Sequence, residues 1–346
     1  MSRGFQQGPC KNREELYDRK DEVNQVIHLI QQNTWVALMG LRMAGKTSVA
    51  QVVQSELQKQ FDSAYVDLRG SRGVRTAAER IINAIPRNLL QRAGKFVQNH
   101  VQEVTTEGIG IKLRKSEDAT DVLESLFEVL SKNKKLLLVL DEMQDVGGGT
   151  NHFLNMLSRV RNTSNRVNFV FTGSEMNLMK VILNPAKTPL AGRTPVRVDI
   201  IQWERKVAEN FLQEGLKYCN TSFSEKQIEE VIASLGTLPG WLNNYGLRRI
   251  SGRSHEKSLL EAKEESKSLA SKEFQHLLSQ RGEHAVQIVR TIALYGARWK
   301  DLSSLAPPSG LNDLLKRLKD SFIMTDENGR YSINDPVYND AAKDLK

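Results

Sequence analysis

Cysteine is almost absent from this sequence. Cys10 and Cys219 are the only two among 346 residues, and they form no CxxC pair. This scarcity excludes a disulfide framework and a cysteine-rich zinc site. It also fits the reducing environment of the cytosol, so we expect a cytoplasmic protein.

Long apolar runs are missing as well. None approaches the ~18–20 residues that a membrane-spanning helix needs, and the stretch MSRGFQQGPCKNREELYDRK lacks the apolar core of a signal peptide. We therefore expect no membrane partner. The chain is 39% hydrophobic and 26% charged, an ordinary globular composition, and its length predicts two or three domains.

Basic residues outnumber acidic ones, and the formal net charge is +8. A positive excess permits a nucleic-acid partner or another acidic partner. The basic residues are spread along the whole chain, however, so a solvated basic surface explains the excess equally well. Composition leaves both interpretations open.

Strands and helices alternate in the first part of the chain, which predicts an α/β domain with a parallel sheet over residues 16–203. A loose polar arm is expected over residues 1–15. Amphipathic segments predict the helices that separate the strands. The predicted strands are residues 35–40, 63–70, 134–142, 166–174 and 195–203.

Three local signals refine this pattern. Pro86 is expected to interrupt a helix, and Asp118 is a plausible N-cap for the next one. Residues 104–115 alternate around Gly108 and Gly110 and predict a small β-hairpin.

The second part of the chain has a different texture. Residues 204–281 predict a helical subdomain that ends in one long charged connector helix. Residues 282–346 predict three helices followed by a β-hairpin whose turn contains Asn328 and Gly329. That order is typical of a winged helix.

Residues 40–47, GLRMAGKT, have the pattern Gly-x-x-x-x-Gly-Lys-Thr between a predicted strand and a predicted helix. Gly40 and Gly45 permit conformations in which successive N–H groups point at phosphate oxygens, and the helix adds its N-terminal dipole. Lys46 would reach the β- and γ-phosphates, and Thr47 would bind Mg²⁺. The pattern therefore predicts a P-loop NTPase. The residues expected to contact the nucleotide here are Gly40, Arg42, Ala44, Gly45, Lys46, Thr47 and Ser48.

The strand at 134–142 ends in two acids. Asp141 matches the acid that binds Mg²⁺, directly or through water, and Glu142 is the candidate base that polarises the attacking water. A polar strand end would look similar, but the phosphate loop favours the catalytic interpretation. A protein that only senses nucleotide would not need Glu142. In the next strand, Thr172 or Ser174 could hold the water or the γ-phosphate.

Arg193, in PLAGRTP, is the candidate that stabilises the charge of the transition state. Such an arginine acts within its own chain or across a subunit interface. The sequence is equally consistent with an ordinary surface arginine at this position. Arg42, and Arg69 in VDLRG, are further candidates.

Several motifs together resemble the archaeal ATPase family, in the STAND and AAA+-like group. They are YDRKDEV, GLRMAGKTS, LVLDEMQD, FTGSEMNLM, PLAGR and LGTLPGWLNNYG, which occur in the family's order. The resemblance implies an AAA+-like P-loop domain, a helical lid within residues 204–281 and a C-terminal winged helix. It also implies ATP or ADP as the ligand, in agreement with the lack of a guanine-reading NKxD motif.

The resemblance gives roles to residues that spacing alone would not. Pro239 in GTLPGW would pack on adenine, although the same letters also predict a plain helix boundary. Arg19 and Val23 would lie on the other side of the base. The resemblance supports Arg193 as a phosphate sensor. No arginine follows FTGS directly, where several relatives carry one, so the arginine that contacts the γ-phosphate stays open.

These signals predict a Mg²⁺-dependent ATPase that works as a switch, because γ-phosphate and Mg²⁺ hold loops and lid until hydrolysis releases them. Duplex DNA is the partner that we expect for the winged helix. Asp313, Asp320 and the acidic segment TDEN support a docking protein or self-association instead. A nucleotide-gated scaffold without turnover is the third hypothesis. The residues expected to contact DNA are Lys316, Arg317, Lys319 and Arg330.

Overall fold

The computed structural model describes residues 4–102, 112–173, 177–184, 188–279 and 281–345. The chain divides into two compact units. The sheet unit comprises residues 10–39 and 46–200, and the helix-rich unit comprises residues 1–9, 40–45 and 201–346. Over the described ranges, no helix is both long enough and apolar enough to cross a membrane.

A five-stranded parallel sheet with the order β2-β5-β6-β1-β7 organises the sheet unit. Its strands are the five that the sequence predicts, and the parallel α/β architecture is confirmed. The side chains of β5 and β6 are almost all buried, which explains their unbroken apolar letters. The strands of this unit are β1 Val36–Met39, β2 Phe61–Asp67, β3 Val101–Gln102, β4 Lys112–Leu113, β5 Lys135–Asp141, β6 Val167–Gly173 and β7 Val196–Asp199.

The local signals have mixed outcomes. Pro86 separates two helices as expected, and the carboxylate of Asp118 accepts the backbone N–H of Thr120 at 2.8 Å and so caps α6. Most of the hairpin predicted around Gly108 and Gly110 lies outside the described residues. The helices of the sheet unit are α1 Lys20–Gln31, α2 Lys46–Leu57, α3 Val74–Ala84, α4 Arg87–Arg92, α5 Gly94–His100, α6 Ala119–Ser131, α7 Thr150–Thr163 and α8 Asn177–Ile182.

Aromatic side chains fill the core of the sheet unit. Trp35, just before β1, is 1% exposed, and its indole Nε1 donates to the carbonyl of Val167 at 2.9 Å. Its ring meets those of Phe169 and Phe171 edge to face, with centroids 4.7 and 6.0 Å apart. Such pairs contribute beyond the area that they bury, so they fix β1 against β6.

The helix-rich unit contains the predicted helical subdomain, the long connector helix α12 (His255–Leu278) and residues 282–346, here called the final block. Its helices are α9 Arg205–Tyr218, α10 Glu225–Leu235, α11 Pro239–Ile250, α12 His255–Leu278, α13 Glu283–Tyr295, α14 Trp299–Leu302, α15 Pro308–Asp320 and α16 Pro336–Lys343. Its strands are β8 Ala297–Arg298, β9 Thr325–Glu327 and β10 Arg330–Ser332, in the order β8-β10-β9.

The final block does not form a compact unit of its own. Helix α16 packs along α12, where Lys263 pairs with Asp340 at 2.9 Å and the Tyr338 hydroxyl donates to Glu273 at 2.6 Å. The predicted boundary between residues 281 and 282 therefore falls inside one unit. Strand β8 and helix α16 were not predicted.

The predicted loose arm is wrong for Phe5 and Gln6. Phe5 is 7% exposed, and its ring packs edge to face on Phe211 at 5.4 Å. The amide of Asn243 exchanges two hydrogen bonds with the backbone of Gln6, at 3.1 and 2.9 Å. The Phe5 ring and the backbone of Gln6 thus anchor a mostly polar segment.

Candidate functional site

Asp141, the last residue of β5, is the centre of a hydrogen-bonded cluster in the sheet unit. It is 1% exposed. Its Oδ2 accepts the hydroxyl of Thr47 at 2.9 Å and that of Tyr65 at 2.5 Å, while Oδ1 accepts the hydroxyl of Thr172. Three separate elements, α2, β2 and β6, therefore hold one carboxylate at the carboxyl edge of the sheet.

The sequence predicts three members of this cluster and misses Tyr65. The pairing of β5 with β6 brings Thr172 beside Asp141, as expected from the architecture. Burial, and then the charge of Asp141, raise the pKa of Tyr65 well above its usual 10. The phenol therefore stays protonated and serves as a hydrogen-bond donor. Ser174 lies outside the described residues.

Glu142 follows the cluster and has a left-handed backbone, with φ of 57°. This turn directs the chain away from the strand into a short 3₁₀ helix over Met143–Asp145. The half-buried carboxylate of Glu142 accepts the side-chain amide of Gln144. A Cβ atom at Gly173 would collide with the Gln144 side chain, so glycine at the end of β6 leaves room for this pair.

The phosphate-loop segment joins β1 to α2 with an unusual backbone. Gly45 has a φ of 100°, a backbone conformation that residues with a side chain rarely adopt, and Met43 has a φ of 66°. Within the helix-rich unit, the carbonyl of Met43 accepts the N–H of Gly240, at the start of α11, at 3.0 Å. Arg42 is exposed and Ala44 is fully buried.

The second half of the phosphate-loop motif belongs to the sheet unit. Lys46 and Thr47 are the first residues of α2, so they stand where the dipole of a 12-residue helix is positive. The hydroxyl of Ser48 accepts the backbone N–H of Cys10 at 3.1 Å. Ser48 thus also holds the chain before α1.

Arg193 lies at the opposite edge of the sheet from Asp141. It precedes the amino end of β7, and it lines a pocket with Ser158 and Arg161 from the last turns of α7. Arg161 in turn donates to the carbonyl of Asn33, ahead of β1, at 2.7 Å. The structure therefore does not bring Arg193 together with Asp141 and Glu142, although the sequence left an intrachain role open.

The remaining nucleotide candidates differ in their surroundings. Arg19 is 4% exposed, has a left-handed backbone, and donates to Glu22 at 2.8 Å in the sheet unit. Val23, one turn later, is fully buried. Pro239 is half-buried at the first position of α11, as expected for a proline that starts a helix. Arg69 is exposed and pairs with Asp67 at 3.2 Å.

The candidate DNA contacts are exposed, but most have partners of their own. Arg317 donates to Asp313 at 3.1 Å, and Lys319 lies 3.6 Å from Asp326. Arg330 donates to the carbonyl of Tyr295 at 2.8 Å. Lys316 is exposed on α15, and no ion pair is found for it within the described part of the chain. The basic residues thus do not form one unopposed positive face.

Comparison with known proteins gives a family and a fold. A family model described as an ATPase domain predominantly from Archaea matches residues 16–244. The Walker-type ATPase PABY2304 of Pyrococcus abyssi superposes with a TM-score of 0.77 at 23% identity, over 98% of this chain and 99% of that chain. The Aeropyrum pernix ORC2 protein in its ADPNP–ADP complexes gives 0.63 at 16% identity, over 98% and 97%. These likenesses show a P-loop NTPase fold of the AAA+ type. No curated protein matches the chain.

Proposed function

The chain belongs to the ATPase-domain family found predominantly in Archaea, and from that premise we propose that it hydrolyses ATP with Thr47, Asp141 and Glu142. The observation that carries the proposal is the Asp141 carboxylate, which three hydroxyl groups hold at the carboxyl edge of a parallel sheet. Substrates of open α/β sheets bind outside that edge. Lys46 and Thr47, at the start of α2, supply the phosphate contacts.

A Mg²⁺ ion fits the donors at this edge. Thr47 and Asp141 offer a hydroxyl and a carboxylate oxygen 2.9 Å apart, and Mg²⁺ prefers such hard oxygen ligands. Within the described ranges, no group of three or more His, Cys, Asp or Glu side chains could hold a metal. A small number of protein ligands is expected for Mg²⁺, because this ion also takes oxygens from substrate phosphates. When bound, Mg²⁺ would neutralise charge on those phosphates.

Glu142 is the residue that we assign as the general base. It lies next to Asp141 in sequence, but its own carboxylate is held by the neutral amide of Gln144. A carboxylate in that state can accept a proton from a water molecule, and Gln144 orients it. Asp141 and Glu142 thus have different tasks, because three hydroxyl groups fix the carboxylate of Asp141, whereas one amide contacts that of Glu142.

The decisive experiment is steady-state ATP turnover of the wild type and of Glu142→Gln. We expect the variant to lose roughly 10²–10⁴-fold in turnover while it still binds ATP, since the phosphate contacts are intact. Lys46→Ala is the matched control that should lose binding. Equal turnover in wild type and Glu142→Gln would remove Glu142 from the mechanism. ATP binding without any wild-type turnover would support the nucleotide-gated scaffold.

The final block is the module that we propose to be moved by the nucleotide state. Helix α13, strand β8, helices α14 and α15 and the β9–β10 hairpin follow the order of a winged helix. Duplex DNA is the partner proposed for this module, with Lys316 on the exposed face of α15 as its first contact. We expect DNA to raise ATP turnover, and Lys316→Ala to reduce that increase.

One observation favours a protein partner instead. Three large apolar side chains of the final block are exposed: Leu294 at 46%, Tyr295 at 72% and Trp299 at 37%. A contiguous apolar patch marks a protein-binding surface, and Leu294 and Tyr295 are adjacent in the chain. ATP turnover that is indifferent to duplex DNA would assign the module to protein docking, and Tyr295→Ser should then weaken capture of the partner.

A further inference from the structure

We propose that Tyr65 is a positioning residue, which holds the Asp141 carboxylate in the orientation that Mg²⁺ binding requires. The inference rests on the proposed function, because it concerns the same cation site. Its basis is the Tyr65 hydroxyl, which lies 2.5 Å from Asp141 Oδ2. The same oxygen accepts the hydroxyl of Thr47, the proposed Mg²⁺ ligand, at 2.9 Å.

Strand register explains why this position holds a tyrosine. Strand β2 pairs with β5 in parallel, with Tyr65 opposite Val139 and Asp67 opposite Asp141. The carboxylate therefore lies two residues, or roughly 7 Å, further along the strands than Tyr65. A long, rigid side chain that leans along the strand spans that gap. Serine, threonine or aspartate at position 65 would be too short.

The two oxygens of Asp141 are held differently. Oδ1 accepts the Thr172 hydroxyl from β6, within the sheet. Oδ2 lies on the side of Thr47 and the start of α2, and Tyr65 is its other hydroxyl donor. Without Tyr65, the hydroxyl of Thr47 would have to anchor Oδ2 and also bind the cation. Tyr65 therefore separates the task of holding the carboxylate from the task of binding Mg²⁺.

Tyr65 acts on the proposed cation site through Asp141. Its hydroxyl donates to the same Oδ2 that accepts the hydroxyl of Thr47. Outer-shell donors of this kind orient metal ligands, and their removal typically weakens metal affinity about 10–100-fold.

The test is Tyr65→Phe in the full chain, with binding of a non-hydrolysable fluorescent ATP analogue measured against Mg²⁺ concentration and in EDTA. We expect the Mg²⁺ concentration for half-maximal enhancement of binding to rise about tenfold or more. Binding in EDTA and the melting temperature should change little, because phenylalanine keeps the ring in place. An unchanged Mg²⁺ midpoint would overturn the role of Tyr65.

Ser63→Ala is the matched control. Ser63 lies on the same strand and, two residues earlier, on the same face, but its hydroxyl accepts Gln54 at 3.3 Å rather than contacting Asp141. This variant should keep the wild-type Mg²⁺ midpoint. An equal shift in Ser63→Ala would overturn the inference, since any damage to β2 would then suffice. Wild-type binding that ignores Mg²⁺ would instead overturn the proposed cation site itself, and the Tyr65 role with it.

Discussion

Asp335 is a buried carboxyl group at the start of α16. It is 6% exposed, and its Oδ1 accepts the backbone N–H groups of Val337 and Tyr338, each at 3.0 Å. Its Oδ2 has no hydrogen-bond partner within the described part of the chain. Burial outweighs the two backbone donors and raises the pKa of Asp335 from 3.8 to about 6. Ionisation of this group therefore opposes folding.

The sign of the pH dependence follows. Between about pH 4 and pH 6 the folded chain keeps a proton on Asp335 that the unfolded chain releases. The contribution of Asp335 to stability is full below the unfolded pKa and is lost as pH rises through about 6. An asparagine in its place would keep the cap acceptor but could not ionise. For Asp335→Asn, we expect the difference in unfolding free energy to move in the variant's favour by about 2 kcal/mol between pH 4.5 and pH 7.

Urea unfolding of both proteins across that range measures the difference directly. The slope of the unfolding free energy against pH is compared between the two proteins. This comparison removes the contributions of all other titrating groups, and it removes the constant cost of burying an asparagine amide. Parallel pH profiles for the two proteins would show that Asp335 ionises as freely in the folded chain as in the unfolded chain.

Single residues of the candidate site were predictable where a motif names them. Thr47, Asp141 and Thr172 come together because parallel strands and the phosphate-loop helix always meet at one edge. Tyr65 was missed, since its role depends on the register of β2 against β5, which no local pattern encodes. The position of Arg193 at the amino edge of the sheet could have been predicted from the sequence, because this residue precedes a predicted parallel strand.

A notch for Phe5 is the clearest packing detail at the scale of helices. The ring lies against Gly215 of α9 and Gly246 of α11, where a Cβ at Gly215 would come within 2.7 Å of it. A Cβ at Gly246 would also collide with the ring. Two helices therefore carry glycine, at a cost in helix propensity, where the N-terminal segment crosses them.

Gly246→Ala should release this segment. The added methyl group displaces the Phe5 ring, so the chain before Pro9 loses its anchor although helix α11 gains propensity. Limited proteolysis should then cleave residues 1–9 faster than in the wild type, by up to about 30-fold for a lost burial of about 2 kcal/mol. N-terminal mass analysis locates the cut.

Gly310→Ala is the control, since nothing lies within 4 Å of a Cβ at Gly310 in α15. It should leave N-terminal cleavage unchanged. If Gly246→Ala also leaves the segment protected, Phe5 can be accommodated elsewhere and the notch does not hold it.

Elements were predictable in proportion to their length and burial. The central strands β5 and β6 are buried on both faces, so they appear as unbroken apolar runs. The long helix α12 has a Ser254 cap and a sustained charged pattern. Strand β8 contains two residues and pairs only through the distant hairpin. Two residues are too few to show the alternation of apolar and polar side chains that predicts a strand. Pairing with β10 alone therefore defines β8.

At the scale of the whole molecule, the edge position of Arg193 predicts cooperation between copies. To take part in hydrolysis from the amino edge of the sheet, Arg193 would have to contact the nucleotide of a neighbouring copy. A mixture of Glu142→Gln and Arg193→Ala should therefore regain ATP turnover that neither variant has alone. In such a mixture, one copy would supply Glu142 and its neighbour would supply Arg193.

The matched control is a mixture of Glu142→Gln with Lys46→Ala. Both residues serve the same copy's nucleotide, so this mixture should recover no more turnover than the unmixed variants. If Arg193→Ala is inactive and the mixture stays inactive as well, Arg193 does not act across a subunit interface. Wild-type turnover of Arg193→Ala alone would identify Arg193 as an ordinary surface residue.

The division into units was only partly predictable. The sequence indicates three blocks after the arm, because the pattern of predicted helices and strands changes at residues 203 and 281. The structure merges the last two, and residues 40–45 and the N-terminal segment join them. Such grouping depends on contacts between distant segments, as in the pairing of Lys263 with Asp340, which hydrophobic periodicity does not record.

Trp35 has a spectroscopic consequence. The chain has four tryptophans, and Trp35 is the one in the sheet unit, whereas Trp203, Trp241 and Trp299 belong to the helix-rich unit. Its emission should be blue-shifted by burial among Phe169 and Phe171. Subtracting the fluorescence of Trp35→Phe from that of the wild type would isolate this one indole. The unfolding of the sheet unit could then be followed by this difference signal.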